Sequence, residues 1–175
     1  MKTINLNLAN GYKIKSLSTN DCHAVEMLCG KCSDYYILVD GVLPTIKEVN
    51  EIFTDLPPNK SYEDKFVLGI FTNNDKLVGL VDLIRDFPTV GEWMLGLMII
   101  DADERGNGLG TIAHKALNEW AISLGAKTFR IGVVQENYGA MKFWSGLGYR
   151  KIKEVDMEFA AKKHIVKVMR LEFYN

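Results

Sequence analysis

The spacing of apolar residues changes several times along the chain. Ile4, Leu6 and Leu8 alternate with polar residues, and Tyr12 and Ile14 resume the alternation after Asn10-Gly11. A period of two marks a half-buried strand, and Asn-Gly accepts the positive φ of a tight turn, so this stretch predicts a hairpin. Ser18 and Asp21 stand at capping-box spacing, and a helix is predicted from there to about Leu28 or Cys32. Residues 33–44 hold no period and read as an irregular stretch carrying Asp34, Tyr35, Tyr36 and Asp40. Thr45 and Glu48 repeat the capping box. Ile46, Val49, Ile52 and Phe53 follow at helical spacing until Pro57-Pro58 stops the helix.

Strand patterns return at Lys65. Segments 66–72 and 76–85 flank the turn Asn73-Asn74-Asp75, and a second turn, 87–91, leads into Glu92–Ile100. Three consecutive strands with short links pair antiparallel. Further on, Ile112, Ala113, Ala116, Leu117, Trp120, Ala121 and Leu124 form a helical stripe, closed by Gly125. A helix joining Glu92–Ile100 to the apolar strand Thr128–Val134 implies a parallel crossover. Asn137 then opens a helix over 138–147, Gly148 closes it, and strands at 149–157 and 165–174 finish the chain. This order is an α/β arrangement with a mixed sheet.

Composition narrows the class. A chain of 175 residues buries a real core, and one domain over 1–175 is expected. No run is long and apolar enough for a membrane span, and the first residues lack the apolar centre of a signal peptide. A net charge of -1 argues against bulk nucleic-acid binding. Cys22, Cys29 and Cys32 are odd in number and share one segment, which fits a reducing, cytoplasmic setting. Cys29 and Cys32 form a C-x-x-C, but no second pair exists. Cys22 and its neighbour His23 point apart on a helix, so buried core thiols are expected and no metal site.

The chemistry concentrates where a strand, a glycine-rich turn and a helix follow one another. Such a turn lets a phosphate approach the main chain and aims the helix's free N–H groups at it. The turn lacks the lysine of a P-loop. Gly108, Gly110 and Ala113 match dinucleotide spacing, but antiparallel strands precede them and too little chain follows for a second βαβ half. Arg105-Gly106-Asn107-Gly108-Leu109-Gly110 reads R-x-x-G-x-G, and Met98-x-Ile100 precedes it. Asn137-x-x-Ala140-x-x-Phe143-Trp144-x-x-x-Gly148-Tyr149 follows at the matching separation. Together these resemble the two signatures of the GNAT superfamily of N-acetyltransferases, and the element order matches from Ile14 onward. Residues 1–60 match only in outline.

The resemblance implies a mixed central sheet of about six to seven strands with flanking helices, its central strands splayed around acetyl-CoA. It implies that the backbone of Met98 and Ile100 bonds the pantetheine arm. Arg105, Gly106, Asn107, Gly108, Leu109, Gly110 and Thr111 would hold the pyrophosphate, with Asn137, Ala140 and Phe143 on the opposite wall. Direct transfer of the acetyl group to a primary amine, of a small molecule first of all, is the implied reaction. It needs a deprotonated amine, a polarised carbonyl and a stabilised thiolate, and no metal. Glu92 is the first candidate base, placed by simple alternation on the face of Met94, Met98 and Ile100. Asp82 is the second. Trp144 stands where the family often has tyrosine, and indole donates no proton at neutral pH, so Tyr138, Tyr149 or water would replace it. The acceptor site is expected from 30–60 and 87–91. There Asp34, Tyr35, Tyr36, Asp40 and Trp93 suit an organic cation, or simply an ordinary loop. An acyl-CoA sensor without turnover and a protein N-terminal or lysine acetyltransferase are the alternatives. A homodimer stays open.

Overall fold

The computed structural model describes residues 3–173. Met1, Lys2, Tyr174 and Asn175 lie outside it, including the predicted end of the last strand. Within that range, eight strands form one sheet in the order β1-β2-β3-β4-β5-β6-β8-β7. Five α-helices pack around it. The sheet thus has more strands than the about six to seven implied by resemblance.

The hairpin at the start is β1 (Asn5–Asn7) against β2 (Lys13–Ser16), turned through Asn10 at φ 61° and Gly11 at φ 80°. Both capping boxes form. That at Ser18 and Asp21 opens a 3-10 turn that runs into α1 (Cys22–Lys31), and that at Thr45 and Glu48 opens α3 (Ile46–Thr54). Between them the stretch expected to be irregular is instead a short helix, α2 (Ser33–Val39), which buries Tyr36 and Val39. The antiparallel strands β3 (Lys65–Phe71), β4 (Leu77–Ile84) and β5 (Glu92–Ile100) follow. Then α4 (Leu109–Ser123) crosses over to β6 (Thr128–Val134), which pairs parallel to β5 as expected. α5 (Tyr138–Gly146) precedes the hairpin of β7 (Arg150–Phe159) and β8 (Lys162–Glu172).

Two features of β5 place everything else. The first is a bulge: Leu83 pairs with Leu95 but Asp82 pairs with Leu97, so Gly96 is the extra residue. A bulge shifts the alternation by one. Trp93 and Leu95 therefore face the α4 and α5 side, and beyond Gly96 it is Met98 and Ile100 that pack there. Leu97 and Ile99 turn to the α1 and α3 side. The second feature is that β5 pairs with β6 only at Glu92, Trp93 and Met94. Past that point the strands part, while β6 goes on to pair with β8 along its length.

Below the parting, the core on the α4 side holds Trp93, fully buried, stacked on Phe66 at 5.6 Å and edge-on to Trp120 at 5.6 Å. Trp93 thus leaves the set of acceptor-site candidates. We predict that Trp93→Ala lowers unfolding stability by about 3–5 kcal/mol, because the cavity adds to the lost transfer term. A shift in the urea midpoint smaller than that of a surface substitution would contradict the packing described.

Candidate active site

Where β5 and β6 part, a cleft of about 730 Å³ opens. Its walls come from β5 between Met94 and Ile100, the turn and first residues of α4, the start of α5, and α2 on the opposite face. Asp101 N–H bonds the Val78 carbonyl on β4 at 2.8 Å. By the two-residue alternation of a strand, the backbone groups of Met98 and Ile100 then face away from β4, into the cleft. The Ile100 carbonyl accepts from Arg105 Nε at 2.8 Å and from the Cys32 thiol at 3.3 Å. The Ile100 N–H and both backbone groups of Met98 are what this edge presents to the cleft.

The glycine-rich turn is shaped by backbone conformation. Gly106 and Gly108 have φ of 81° and 79°, a region that L side chains rarely adopt, and added methyl groups there would meet nothing. Gly110 is small for another reason: a Cβ would press on the Phe143 ring at 3.1 Å. Gly108 is the N-cap of α4, no side chain caps that end, and no acidic residue stands in its first turn. Its N–H groups therefore open on the cleft, with the positive end of the helix dipole behind them. Asn137 caps α5 by accepting from Ala140 N–H at 3.1 Å. Arg105, Gly106, Gly108, Leu109, Gly110, Thr111, Asn137, Ala140 and Phe143 all line the cleft. Asn107 is exposed and is not among the lining residues.

Arg105 is held on both sides. Besides Ile100, its guanidinium donates to both carboxylate oxygens of Asp34 on α2, at 2.5 and 3.0 Å. The Arg105 hydrogen bond holds the Asp34 carboxyl below the usual carboxylate range. Burial pushes the Cys32 thiol up to about 11, keeping it a neutral donor to Ile100. All three cysteines are buried.

Several candidate residues lie elsewhere. Glu92 sits at the closed end of the cleft, outside its lining, nearly buried and paired with Arg130 at 3.3 Å. The bulge at Gly96 removes the premise that put it on one face with Met98 and Ile100. Asp82 is gripped by Lys65 at 2.9 and 3.0 Å, and burial raises its pKa despite that ammonium. It too is outside the cleft lining. Tyr36 is buried against Cys29, and Asp40 does not line the cleft. Tyr138 is 78% exposed, outside the cleft. Trp144 does line it, and Tyr149 is buried beneath, its hydroxyl 2.8 Å from His114 Nε2. Burial carries the Tyr149 hydroxyl far above its usual value.

His114 is a residue that the sequence reading passed over. It is buried among Trp144, Phe129 and Tyr149. The Asn118 side-chain amide lies 3.4 Å from its Nδ1 and the Tyr149 hydroxyl 2.8 Å from its Nε2, so both ring nitrogens have a polar neighbour. Burial pushes its pKa down to about 4 from 6.5. In the unfolded chain the ring binds a proton earlier as pH falls, so this site's stability is full above pH 6.5 and is lost towards pH 4. The loss amounts to about 3 kcal/mol. His114→Gln, which keeps a donor but does not titrate, should flatten the stability curve between pH 6.5 and 4. An unchanged slope in that window would assign the proton uptake to other groups.

Residues 42–149 match the Acetyltransferase (GNAT) family. The curated Bacillus subtilis (strain 168) protein "Uncharacterized N-acetyltransferase YobR" is 28% identical over 122 residues, which cover 69% of this chain and 46% of that protein. The chain therefore spans about half the length of that relative. An acetyltransferase from Thermus thermophilus superposes with a TM-score of 0.73 at 21% identity, covering 94% of this chain and 99% of its own. The RimL ribosomal L7/L12 alpha-N-protein acetyltransferase gives 0.80 at 12% identity, covering 99% and 96%. Spermidine N-acetyltransferase from Vibrio cholerae, solved with CoA and spermine, gives 0.72 at 16%, covering 93% and 95%. At these identities the structures establish a shared fold.

Proposed function

This chain belongs to the GNAT acetyltransferase family, and from that premise we propose that it is a single GNAT domain that moves an acetyl group from acetyl-CoA to a primary amine. One observation carries the proposal. The uncapped N-terminus of α4 and the open backbone edge of β5 border the same cleft. The first suits a pyrophosphate. The second suits an extended amide-bearing arm, which pairs with Met98 and with the Ile100 N–H as a further strand would. The Ile100 carbonyl is already engaged and takes no part. Asn137, Ala140 and Phe143 wall the arm from the far side. Arg105 acts here by fixing the turn against Asp34, not as a free phosphate ligand.

The acceptor enters from the α2 face. Its nitrogen attacks the thioester carbonyl carbon, a C–N bond forms, and the C–S bond breaks with its electron pair on sulfur. The amine's proton leaves to water, and sulfur takes one from water. A backbone N–H of the β5 edge stabilises the carbonyl oxygen as charge gathers on it. The position where the family often has tyrosine holds no acid: Trp144 cannot supply a proton, and Tyr149 nearby is buried and bonded to His114. That tryptophan also favours a second reading, a domain that binds acetyl-CoA without turnover.

Calorimetric titration with acetyl-CoA, with NADH as the control, tests the proposal. Acetyl-CoA should bind and NADH should not. Gly108→Val should weaken acetyl-CoA binding at least tenfold, since valine strains a backbone at φ 79° and disturbs the helix end. Equal affinity in that variant would remove the turn from the binding site. Failure of the native chain to bind acetyl-CoA would end both readings.

A further inference from the structure

The acceptor side of the cleft has a chemistry of its own. Leu38, Val39, Val134, Met157, Phe159 and Val166 line it, from α2, β6, β7 and β8. The titratable side chains around the whole cleft are Asp34, Tyr35, Glu104 and Arg105. None is among the six residues of that wall. Asp34 is held by both nitrogens of the Arg105 fork. Glu104 accepts the Tyr12 hydroxyl at 2.7 Å. Tyr35, pushed up to about 12 by burial, stays protonated. Arg105 carries no acceptor.

From this wall we infer that the acceptor is an α-amino group carried beside an apolar side chain, as in an amino-acid amide or the first residue of a peptide, and not a polyamine or a lysine side chain. The inference rests on the transferase reading above. A polyamine brings further ammonium groups, and the one cleft carboxylate without a cationic partner, Glu104, stands on the glycine-rich turn beside Arg105 and not among the six residues of this wall. Burying such charges against aliphatic side chains is costly. An apolar substituent next to the amine gains from the same wall.

The second reason is the proton. Only the neutral amine attacks, and none of the six residues of the apolar wall can take its proton, while Asp34 beside them is held by Arg105. The amine must then arrive neutral or lose its proton to solvent as the walls desolvate it. An α-amino group titrates near pH 8 and a lysine amine above pH 10, so at pH 7 the first is neutral about two orders of magnitude more often. When the neutral amine attacks, C–N forms, C–S breaks, and the released proton and the thiolate are settled by water.

The test is thiol release from acetyl-CoA by the native chain at pH 7. The panel is leucinamide, the peptide Leu-Gly-Gly-Gly, glycinamide, spermidine and Nα-acetyl-lysinamide. One of the two leucine compounds should exceed glycinamide at least tenfold in kcat/KM, and spermidine and the lysine compound about a hundredfold. Either leucine compound at that rate supports the inference, and the faster names the source of the amine. Spermidine or the lysine compound matching them, glycinamide equalling them, or no acceptor at all despite acetyl-CoA binding would overturn it. Absence of acetyl-CoA binding by calorimetry would instead fail the transferase reading itself. The kcat/KM for leucinamide should climb with pH up to the titration of the free amine; a plateau below pH 7 would reveal an enzymic base and count against the proposal. Leu38→Asp, on a half-buried position, should shift the spermidine-to-leucinamide ratio at least tenfold towards spermidine. Met157→Glu, on a 43% exposed position, should do the same if the first variant folds poorly. An unmoved ratio in both would place the acceptor elsewhere.

Discussion

The structure depends on the parting of two parallel strands. β5 and β6 share three residue pairs and then diverge, although β6 keeps its other neighbour throughout. Backbone N–H and C=O groups on both inner edges lose their partners, which is tolerable only where water or a ligand can replace them. The bulge at Gly96 lies just past the last pair, and the extra residue bends β5 as bulges do. The same residue re-aims the side chains beyond it. Met98 and Ile100 thereby pack under the helix whose N-terminus faces the cleft, while Leu97 and Ile99 secure the other face. One inserted glycine thus opens the edge and anchors it.

An open cleft between strands also needs its rims fixed, and Arg105 does this. It spans the end of β5, its own turn and the start of α2. Both side chains of the Asp34 pair are partly exposed, so the pair adds little stability, about 0–1 kcal/mol. Its contribution is geometric. A guanidinium fork locked on a carboxylate and a carbonyl sets the distance between the acceptor wall and the glycine turn. Cys32, a neutral thiol at the end of α1, adds a second contact to the same Ile100 carbonyl.

Much of this was legible in the chain because periodicity and capping are local. Both capping boxes, the Asn-Gly hairpin, the parallel crossover and the glycine ends of α4 and α5 could be read directly. α2 was hidden because it is short and apolar on more than one side: Tyr36 and Val39 are buried, Tyr35 and Leu38 face the cleft, and Ile37 is largely exposed. The bulge was hidden because an apolar run reads as unbroken alternation. The lone Gly96 within it was the available sign. Glu92 was grouped with Met98 and Ile100 as a direct consequence, although beyond the bulge these two share the face of Trp93 and Leu95 instead. His114 could have been found, since it shares a helical face with Leu117 and Ala121, where a polar residue among buried ones asks for a partner.

The aromatic floor under the cleft supplies no acid of its own. Phe143, Trp144, Tyr149 and His114 pack edge to face on one another, and His114 stays neutral there because protonation would strand a charge among rings. A tyrosine at position 144 would bring a proton to this surface; tryptophan brings area and a fixed shape. The floor then binds without titrating. With Asp34 held by Arg105 on the rim, fixed backbone dipoles and the exclusion of water bias the reaction. Such a site acts by selecting which amines arrive ready to react, so recognition and proton chemistry become one property of the wall.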